Sequence, residues 1–382
     1  MTKRILHVIA GMSRDGVQTW LMHILRHIDR EDFQMDFLVH TTQKWDYDDE
    51  IRLLGSKIIP CLHPSQPLTY ASNFKRILRE YGPYDIVHSH VHHFSGYILR
   101  LAHQAGVPVR IAHSHNDTTS VQAKASLYRR LYLTLTERWI VRYATLGLAC
   151  SSKAATSLFG ASWENDHRWQ VLYYGIDLSQ LGDRLDSVAV RDELGIPSNA
   201  FVIGHVGRFF EQKNHVFLLE IAADVAKREP KMCLLLVGNG PLRSEIEQKV
   251  AQMGLSDNVI FAGVRSDVPR LMLGAMDVFL FPSLYEGLPV VLIEAQASGL
   301  PCIVSDVVTK EVDVAKPLVQ RMLLSQTASQ WAEAVLHQRS AISAISQAEA
   351  LAIVEKSPFN IKTSVKQLEN IYRVQYTGKV VL

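Results

Sequence analysis

Two glutamates, Glu286 and Glu294, stand eight positions apart in "SLYEGLPVVLIEAQASG", residues 283 to 299. The first lies beside a Gly and a Pro, the second inside an apolar run. "DVFLFPS" reads as a strand, "LYEG" as a loop and "LPVVLIEAQASG" as a helix with Pro289 near its first turn, where a missing N–H costs nothing. The helix N-terminus, with backbone groups around Gly287, Leu288 and Pro289, offers an anion site for a phosphate or a sugar hydroxyl. Glu286 sits just outside the helix, within reach of a ligand's sugar ring. Glu294 sits on the second turn and can accept two hydrogen bonds from a ribose diol.

A second loop supplies the opposite charge. In "VGRFFEQKNH", Gly207 permits a tight turn after a strand, and Arg208 and Lys213 project cations from the strand end. A bidentate guanidinium and a point-charge ammonium suit two linked phosphates, and they neutralise the charge that develops when a nucleoside diphosphate departs. Together the loops read as a grip on two parts of one nucleotide sugar rather than as an acid/base pair. "LLLVGNGPL" places Gly238 and Gly240 at another strand end, but it lacks the third glycine of a dinucleotide fingerprint.

The elements that must position these residues follow from composition and pattern. With 382 residues, 47% hydrophobic and 20% charged, the chain exceeds the size at which one core divides, so two domains are expected. A net charge of +2 gives no case for nucleic acid as a partner, since phosphate-backbone binders carry a strong basic excess. Cys61, Cys150, Cys233 and Cys302 are far apart and have neither disulfide nor metal spacing, which fits a reducing cytoplasm. The opening "MTKRILHVIAGM" holds an apolar run too short for a signal peptide or a membrane span, and reads as a buried strand.

Apolar runs alternate with segments of helical period. They are "RILHVIA", "MDFLVH", "DIVHSH", "VPVRIAHSH" and "TLGLACS" in the first half, and "FVIGHVG", "MCLLLVG", "NVIFAG", "DVFLFPS" and "PCIVSD" in the second. This is the pattern of parallel α/β sheets buried on both faces. It restarts after a polar stretch, residues 177 to 200, which reads as a hinge. The expected organisation is a domain over 1–178, a second over 179–356, and a helix over 357–382 that packs back on the first domain. Two doubly wound domains facing a central cleft would gather their strand-end loops around one ligand.

Three further stretches have rival readings. In "HSHVHH", His88, His90 and His92 alternate along a strand and loop; with His113 and His115 they suggest a metal, yet no Cys, Asp or Glu stands at ligand spacing. "WDYDDE" contains an Asp-x-Asp but reads as a helix start. Residues 121 to 142 carry Lys124, Arg129, Arg130, Arg138 and Arg142 against Glu137, five minus one giving +4, interleaved with Tyr128, Tyr132 and Trp139. That composition suits the surface of an anionic membrane. However, Arg138 and Arg142 share the helical sector of Leu127, Leu131, Leu135 and Trp139, which favours a core helix.

"GRFFEQKN", "GNGP", "FAGVRSDVP" and "EGLPVVLIEAQASGLPCIVSD", in this order, resemble the retaining GT-B glycosyltransferases of family 4, whose hallmark is Glu-x7-Glu. "RIAHSHN", "VLYYGID" and "SDVVTKEVDV" resemble the EpsF-like transferases of bacterial exopolysaccharide and capsule clusters. The resemblance implies two Rossmann-like domains, a nucleotide-sugar donor, UDP-linked by analogy, on the C-terminal one, a glycan or polyisoprenoid-linked acceptor on the N-terminal one, and no catalytic metal. It implies a cytoplasmic enzyme, with peripheral contact at the inner face of the membrane as a further expectation.

By position the resemblance assigns Arg208 and Lys213 to the diphosphate, Glu286 to the donor sugar, Glu294 to the ribose, and backbone groups near Val264 and Arg265 to the base. Gly16, in "GMSRDGVQTW", answers to the family's first glycine-rich loop, with Asp15 where a second glycine is usual. The family's cleft histidine is His113 or His115; alternation puts both on one face, and the adjacent Asn116-Asp117 favours His115, as a group that hydrogen-bonds the donor sugar and steadies positive charge. Two other classes stay open: a UDP-sugar epimerase on a similar scaffold, and a non-catalytic nucleotide-sugar-binding partner of another transferase.

Overall fold

The structure, a computed structural model, describes residues 2–119, 126–182, 185–340 and 344–377. The chain separates into two compact units: residues up to Gly175 together with the helix Ile361–Thr377, and Ile176–Asn360. Compared with the sequence-based limits at 178 and 356, the divisions fall at Gly175 and Asn360. A local pairing explains the placement. Ile176 and Asn360 form a parallel bridge, the Ile176 N–H donates to Phe359 O (2.8 Å), and Ile176, Leu178 and Phe359 are buried. The polar stretch 177–200 is not all linker, since it contains the helix Ser187–Glu193, capped by Asp186 through the N–H groups of Val188 and Ala189.

The first unit holds a seven-stranded sheet of β1 (Lys3–Ile9), β2 (Phe33–Val39), β3 (Ile58–Pro60), β4 (Ile86–Ser89), β5 (Val109–Ser114), β6 (Leu146–Ala149) and β7 (Trp169–Val171), in the order β3-β2-β1-β4-β5-β6-β7. The second holds six: β8 (Phe201–Val206), β9 (Met232–Val237), β10 (Val259–Gly263), β11 (Val278–Phe281), β12 (Cys302–Ser305) and β13 (Val319–Met322), in the order β10-β9-β8-β11-β12-β13. Every pairing is parallel. Each sheet therefore reverses direction of winding once, between β1 and β4 and between β8 and β11, and ligand loops collect at such switch points.

Continuous Val/Ile/Leu runs form the inner strands because helices cover both faces. In the first unit Leu6, Val8, Leu38, Val87 and Ala112 meet Ile98, Leu99 and Ile140 from the helices. In the second, Ile203, Leu234, Leu236 and Leu280 meet Leu218, Ile221, Trp331 and Val335. The helix Ile361–Thr377 completes the first unit's core: Tyr372 is fully buried, and Trp20 Nε1 donates to Ser364 Oγ (3.3 Å).

The helix Leu127–Tyr143 packs on the core, but by another face than the sector read from the sequence. It buries Leu133, Thr136 and Ile140 and approaches the helix Ser95–Gln104 so closely that a Cβ at Gly96 would lie 2.2 Å from Thr136 O. That single buried stripe leaves the opposite face outward, with Leu127 74%, Tyr128 87% and Leu131 62% exposed. Lys124, part of the same sequence reading, lies outside the described residues. Among the described residues no helix is long and apolar enough to cross a membrane.

Candidate active site

In the second unit, three strand ends converge through their backbones. β8 ends one residue before Gly207, where an added Cβ would stand 3.1 Å from Lys213 Cε, so the lysine stem lies against the bare backbone. Gly238, after β9, has φ +133°, its N–H donates to Gly263 O (2.7 Å), and a side chain there would strike Gly207 O. Gly240 is equally tight against the backbone of Phe209. The "GNGP" glycines thus serve close packing of one loop on another.

Across the β8/β11 switch point, residues 207–214 meet residues 282–289. The Leu284 N–H donates to Gln212 O (2.8 Å) and Asn214 Nδ2 to Pro282 O (3.2 Å). Between these clamps Lys213 Nζ donates to Glu286 Oε1 (2.6 Å), and Gln212 Nε2 donates to Glu286 Oε2 (3.0 Å) and to Tyr285 O (2.9 Å). Lys213 Nζ also lies 4.6 Å from the centre of the Phe281 ring. The side chains of Lys213 and Glu286 are 15% and 7% exposed. A pair so buried adds little net stability, because desolvation offsets the Coulomb gain, whereas removing one partner leaves a costly lone charge. The arrangement instead stores one cation and one carboxylate, both able to take new partners, at the mouth of a helix.

That helix is Val290–Ala297, so Pro289 occupies the cap position one residue before it rather than its first turn. Glu286 is buried just outside and Leu288 is buried beside it. Glu294 falls on the second turn. Its carboxylate keeps partial contact with solvent yet has no hydrogen-bond or ion-pair partner among the described residues, and burial pushes its pKa up from 4.5 to about 7. Arg208 is exposed with its guanidinium 4.4 Å from the Phe210 ring centre. Beyond β10, Val264 is exposed, while the Arg265 side chain binds Asp267 through Nε and Nη2 (2.7 Å each) and Glu193 (2.9 Å). These contacts fasten the loop through its arginine.

In the first unit, His115 follows β5 and neither of its ring nitrogens is unpartnered. Nε2 meets His90 Nδ1 (2.8 Å) and Nδ1 meets the Tyr174 hydroxyl. A sugar hydroxyl reaches this imidazole only by displacing one of the two. His113 is fully buried, with Nδ1 against His88 Nε2 (3.1 Å), and His88 Nδ1 meets Tyr372 Oη (2.8 Å). His7 Nδ1 meets His90 Nε2 (2.9 Å). Burial lowers all five pKa values, those of His7 and His115 to about 3, so the rings are neutral.

Two triplets, His7/His88/His90 and His90/His113/His115, bring ligand nitrogens within 4.8 Å of one another. Each triplet is made of neutral imidazoles alone. Their facing nitrogens bond to one another, while His7 Nε2 and His113 Nε2 have no partner among the described residues. His92 points elsewhere, with Nε2 on Thr118 Oγ1 (2.8 Å), and Asp48 begins the helix Asp48–Leu53. Gly16 is the exposed first residue of the helix Gly16–His27, where a Cβ would meet nothing within 4 Å, and Asp15 accepts from Ser13 Oγ (2.7 Å).

Sequence reasoning missed Gln212, Tyr174 and His7. Gln212 stood inside a quoted motif, but only the loop-to-loop pairing reveals its partner. His7 meets the histidines because β1 and β4 register His7 with His88, a non-local fact.

The raised pKa of Glu294 has a measurable sign. The folded state holds the proton more tightly than the unfolded chain, so stability is highest below the unfolded value of 4.5 and falls as pH rises toward 7. Glu294→Gln is expected to leave the melting temperature unchanged at pH 4.5 and to raise it at pH 8, by an increment corresponding to at most ~3 kcal/mol, reduced by the side chain's solvent contact. Equal melting temperatures at pH 8 would contradict the burial argument.

The chain matches the family model "Glycosyl transferase 4-like domain" over residues 15–175 and "Glycosyl transferases group 1" over residues 187–340. It is 43% identical to the EpsF glycosyltransferase of Bacillus subtilis over 338 residues, 87% of each chain. It is 28% identical to the UDP-Gal:alpha-D-GlcNAc-diphosphoundecaprenol alpha-1,3-galactosyltransferase of Escherichia coli, over 80% of this chain and 79% of that one. Its fold is similar to that of Anabaena HepE solved with UDP and glucose, at a TM-score of 0.80 and 18% identity, covering 97% of this chain and 99% of that one. Two parallel-sheet units, the Glu-x7-Glu helix and these matches together place the chain in the GT-B glycosyltransferases of family 4, as a transferase of bacterial polysaccharide synthesis.

Proposed function

We propose that the chain is a retaining glycosyltransferase that moves a sugar from a UDP-sugar to a glycan or lipid-linked acceptor, without a metal. The observation that carries this reading is the Lys213–Glu286 pair beside the N-terminus of the helix Val290–Ala297. A diphosphate draws Lys213 away, with Arg208 as the second cation, and the freed Glu286 takes a hydroxyl of the donor sugar. Backbone groups at Gly287 and Leu288, with Pro289 fixing the turn, meet the phosphates and sugar at the positive end of the helix. Glu294, unpartnered, accepts from the ribose diol, and the backbone at Val264 and Arg265 meets the base.

Two cations and a helix end supply the charge that a divalent ion would otherwise supply to the leaving group. By the resemblance, His115 has the role of the neutral imidazole that hydrogen-bonds the donor sugar, and the loop at Gly16 that of the family's first glycine-rich loop. The UDP found with HepE supports the choice of nucleotide, and the diphosphoundecaprenol named for the Escherichia coli relative supports a lipid-linked acceptor.

The outward face of the helix Leu127–Tyr143 supports contact with the surface where such an acceptor resides. Leu127, Tyr128 and Leu131 are exposed there, and Arg130, Arg138 and Arg142 stand on the same helix.

Two outcomes are expected. In calorimetric titration with UDP, Glu294→Ala weakens binding by roughly 1.5–3 kcal/mol, whereas Glu286→Ala binds UDP normally and loses turnover, because its contact strengthens only as the glycosidic bond breaks. Equal, unchanged affinities in both variants would reject this division of labour, and a new UDP-sugar formed without acceptor would favour the epimerase reading. Separately, the protein is expected to co-sediment with vesicles containing anionic lipid and to lose that binding in Leu131→Asp; wild-type protein left in the supernatant at low salt would refute the membrane contact.

A further inference from the structure

His7, His90, His115 and Tyr174 lie in a row, each touching the next through ring nitrogens or the phenol oxygen. The rings are stacked as well as bonded: His7 and His90 have centroids 5.2 Å apart at 18°, and His90 and His115 5.0 Å apart at 26°. A neutral imidazole has one N–H and one lone pair, so a hydrogen bond between two of them requires one to donate and the other to accept. Assigning the proton on any one ring then assigns it on all three. Tautomers along such a row change together or leave a bond unmade.

The direction is set at the Tyr174 end. Its hydroxyl carries one proton and has two neighbours, His115 Nδ1 and the Cys150 thiol. An imidazole lone pair is the better acceptor, and a thiol can donate weakly to the phenol oxygen. With Tyr174 donating to Nδ1, His115 must carry its proton on Nε2 and give it to His90 Nδ1. His90 Nε2–H then donates to His7 Nδ1. The row ends at His7 Nε2, which is buried and has no partner among the described residues. The second pair, His88 and His113 with Tyr372, is bonded separately and ends at His113 Nε2 in the same way.

We propose that His7, His90 and His115 form a single tautomeric chain begun by the Tyr174 hydroxyl, in which Tyr174 and His90 are positioning residues that fix the proton of His115 on Nε2. This rests on the reading of His115 as the reaction's histidine. A ligand hydroxyl that displaces Tyr174 then meets a bare Nδ1, an acceptor, whereas one that displaces His90 meets a donor. The chain decides which of these His115 presents, and it carries that decision across two strand pairings, from β5 through β4 to β1.

The test is long-range proton–nitrogen correlation NMR on the full chain with nitrogen-15 histidine. In the wild type all three rings are expected as Nε2–H tautomers. Tyr174→Phe, which keeps the ring and removes only the hydroxyl, is expected to mix the tautomers of His115 and also those of His7, which it does not touch. His90→Gln is expected to mix those of His115 and lower kcat roughly tenfold, with the KM for sugar nucleotide changed less than about twofold.

His88→Gln, on the separate pair, leaves the His115 tautomer as it is and controls for general loosening. A Nδ1–H tautomer among the three in the wild type, an unchanged His7 in Tyr174→Phe, or stoichiometric zinc bound through these nitrogens would each overturn the chain. Mixed tautomers accompanied by wild-type kcat would leave the chain standing and remove His115 from the reaction instead.

Discussion

A half-buried lysine and a buried glutamate that hold each other are the constraint on which the two loops at the second unit's switch point depend. Lys213 belongs to the loop after β8 and Glu286 to the loop after β11, the two strands that flank the switch point. Their contact requires both loops to fold inward, and the glycines at 207, 238 and 240 allow the neighbouring backbones to come close enough. Gln212 fastens the arrangement by donating to the carboxylate and to the Tyr285 carbonyl. The pair costs about what it returns in stability. What it does is hold a cation and a carboxylate together, mostly shielded from water, beside a helix N-terminus.

The two units solve opposite electrostatic problems. In the second, a lysine and a glutamate are shielded from water as a pair. In the first, five imidazoles are buried without charge, and hydrogen bonds among themselves and to Tyr174 and Tyr372 replace water. Desolvation keeps those rings neutral far below their usual range, which suits groups that give or take hydrogen bonds and does not suit cations. A stretch dense in histidine is thus held as a row of neutral rings bonded to one another and to two tyrosines.

Much of this was legible in the residues. The nine inner strands announce themselves, together with the edge strand β10, because burial on both faces demands unbroken apolar runs. The strands that escaped notice, β3, β7 and β13, are three or four residues long and lie at or beside sheet edges, where half the burial and half the pattern are missing. The Glu-x7-Glu segment marked its helix to within two residues at each end, and Pro289 caps rather than enters it. What the sequence withheld is non-local. The Gln212 partner depends on two loops meeting, and the imidazole row depends on the register of β1 with β4. The helix Leu127–Tyr143 misled for a different reason: leucines and arginines in one sector read as an imperfect core face, while the core is in fact served by Leu133, Thr136 and Ile140 on the other side.

The central claim is that Lys213 and Glu286 are held together in the free protein so that one ligand can take each of them. A crystal structure of the chain with UDP bound tests it most directly. The account predicts Lys213 Nζ within hydrogen-bond distance of a phosphate oxygen and beyond 4 Å from Glu286, whose carboxylate stays on Gln212; UDP bound with the 2.6 Å pair intact would contradict it.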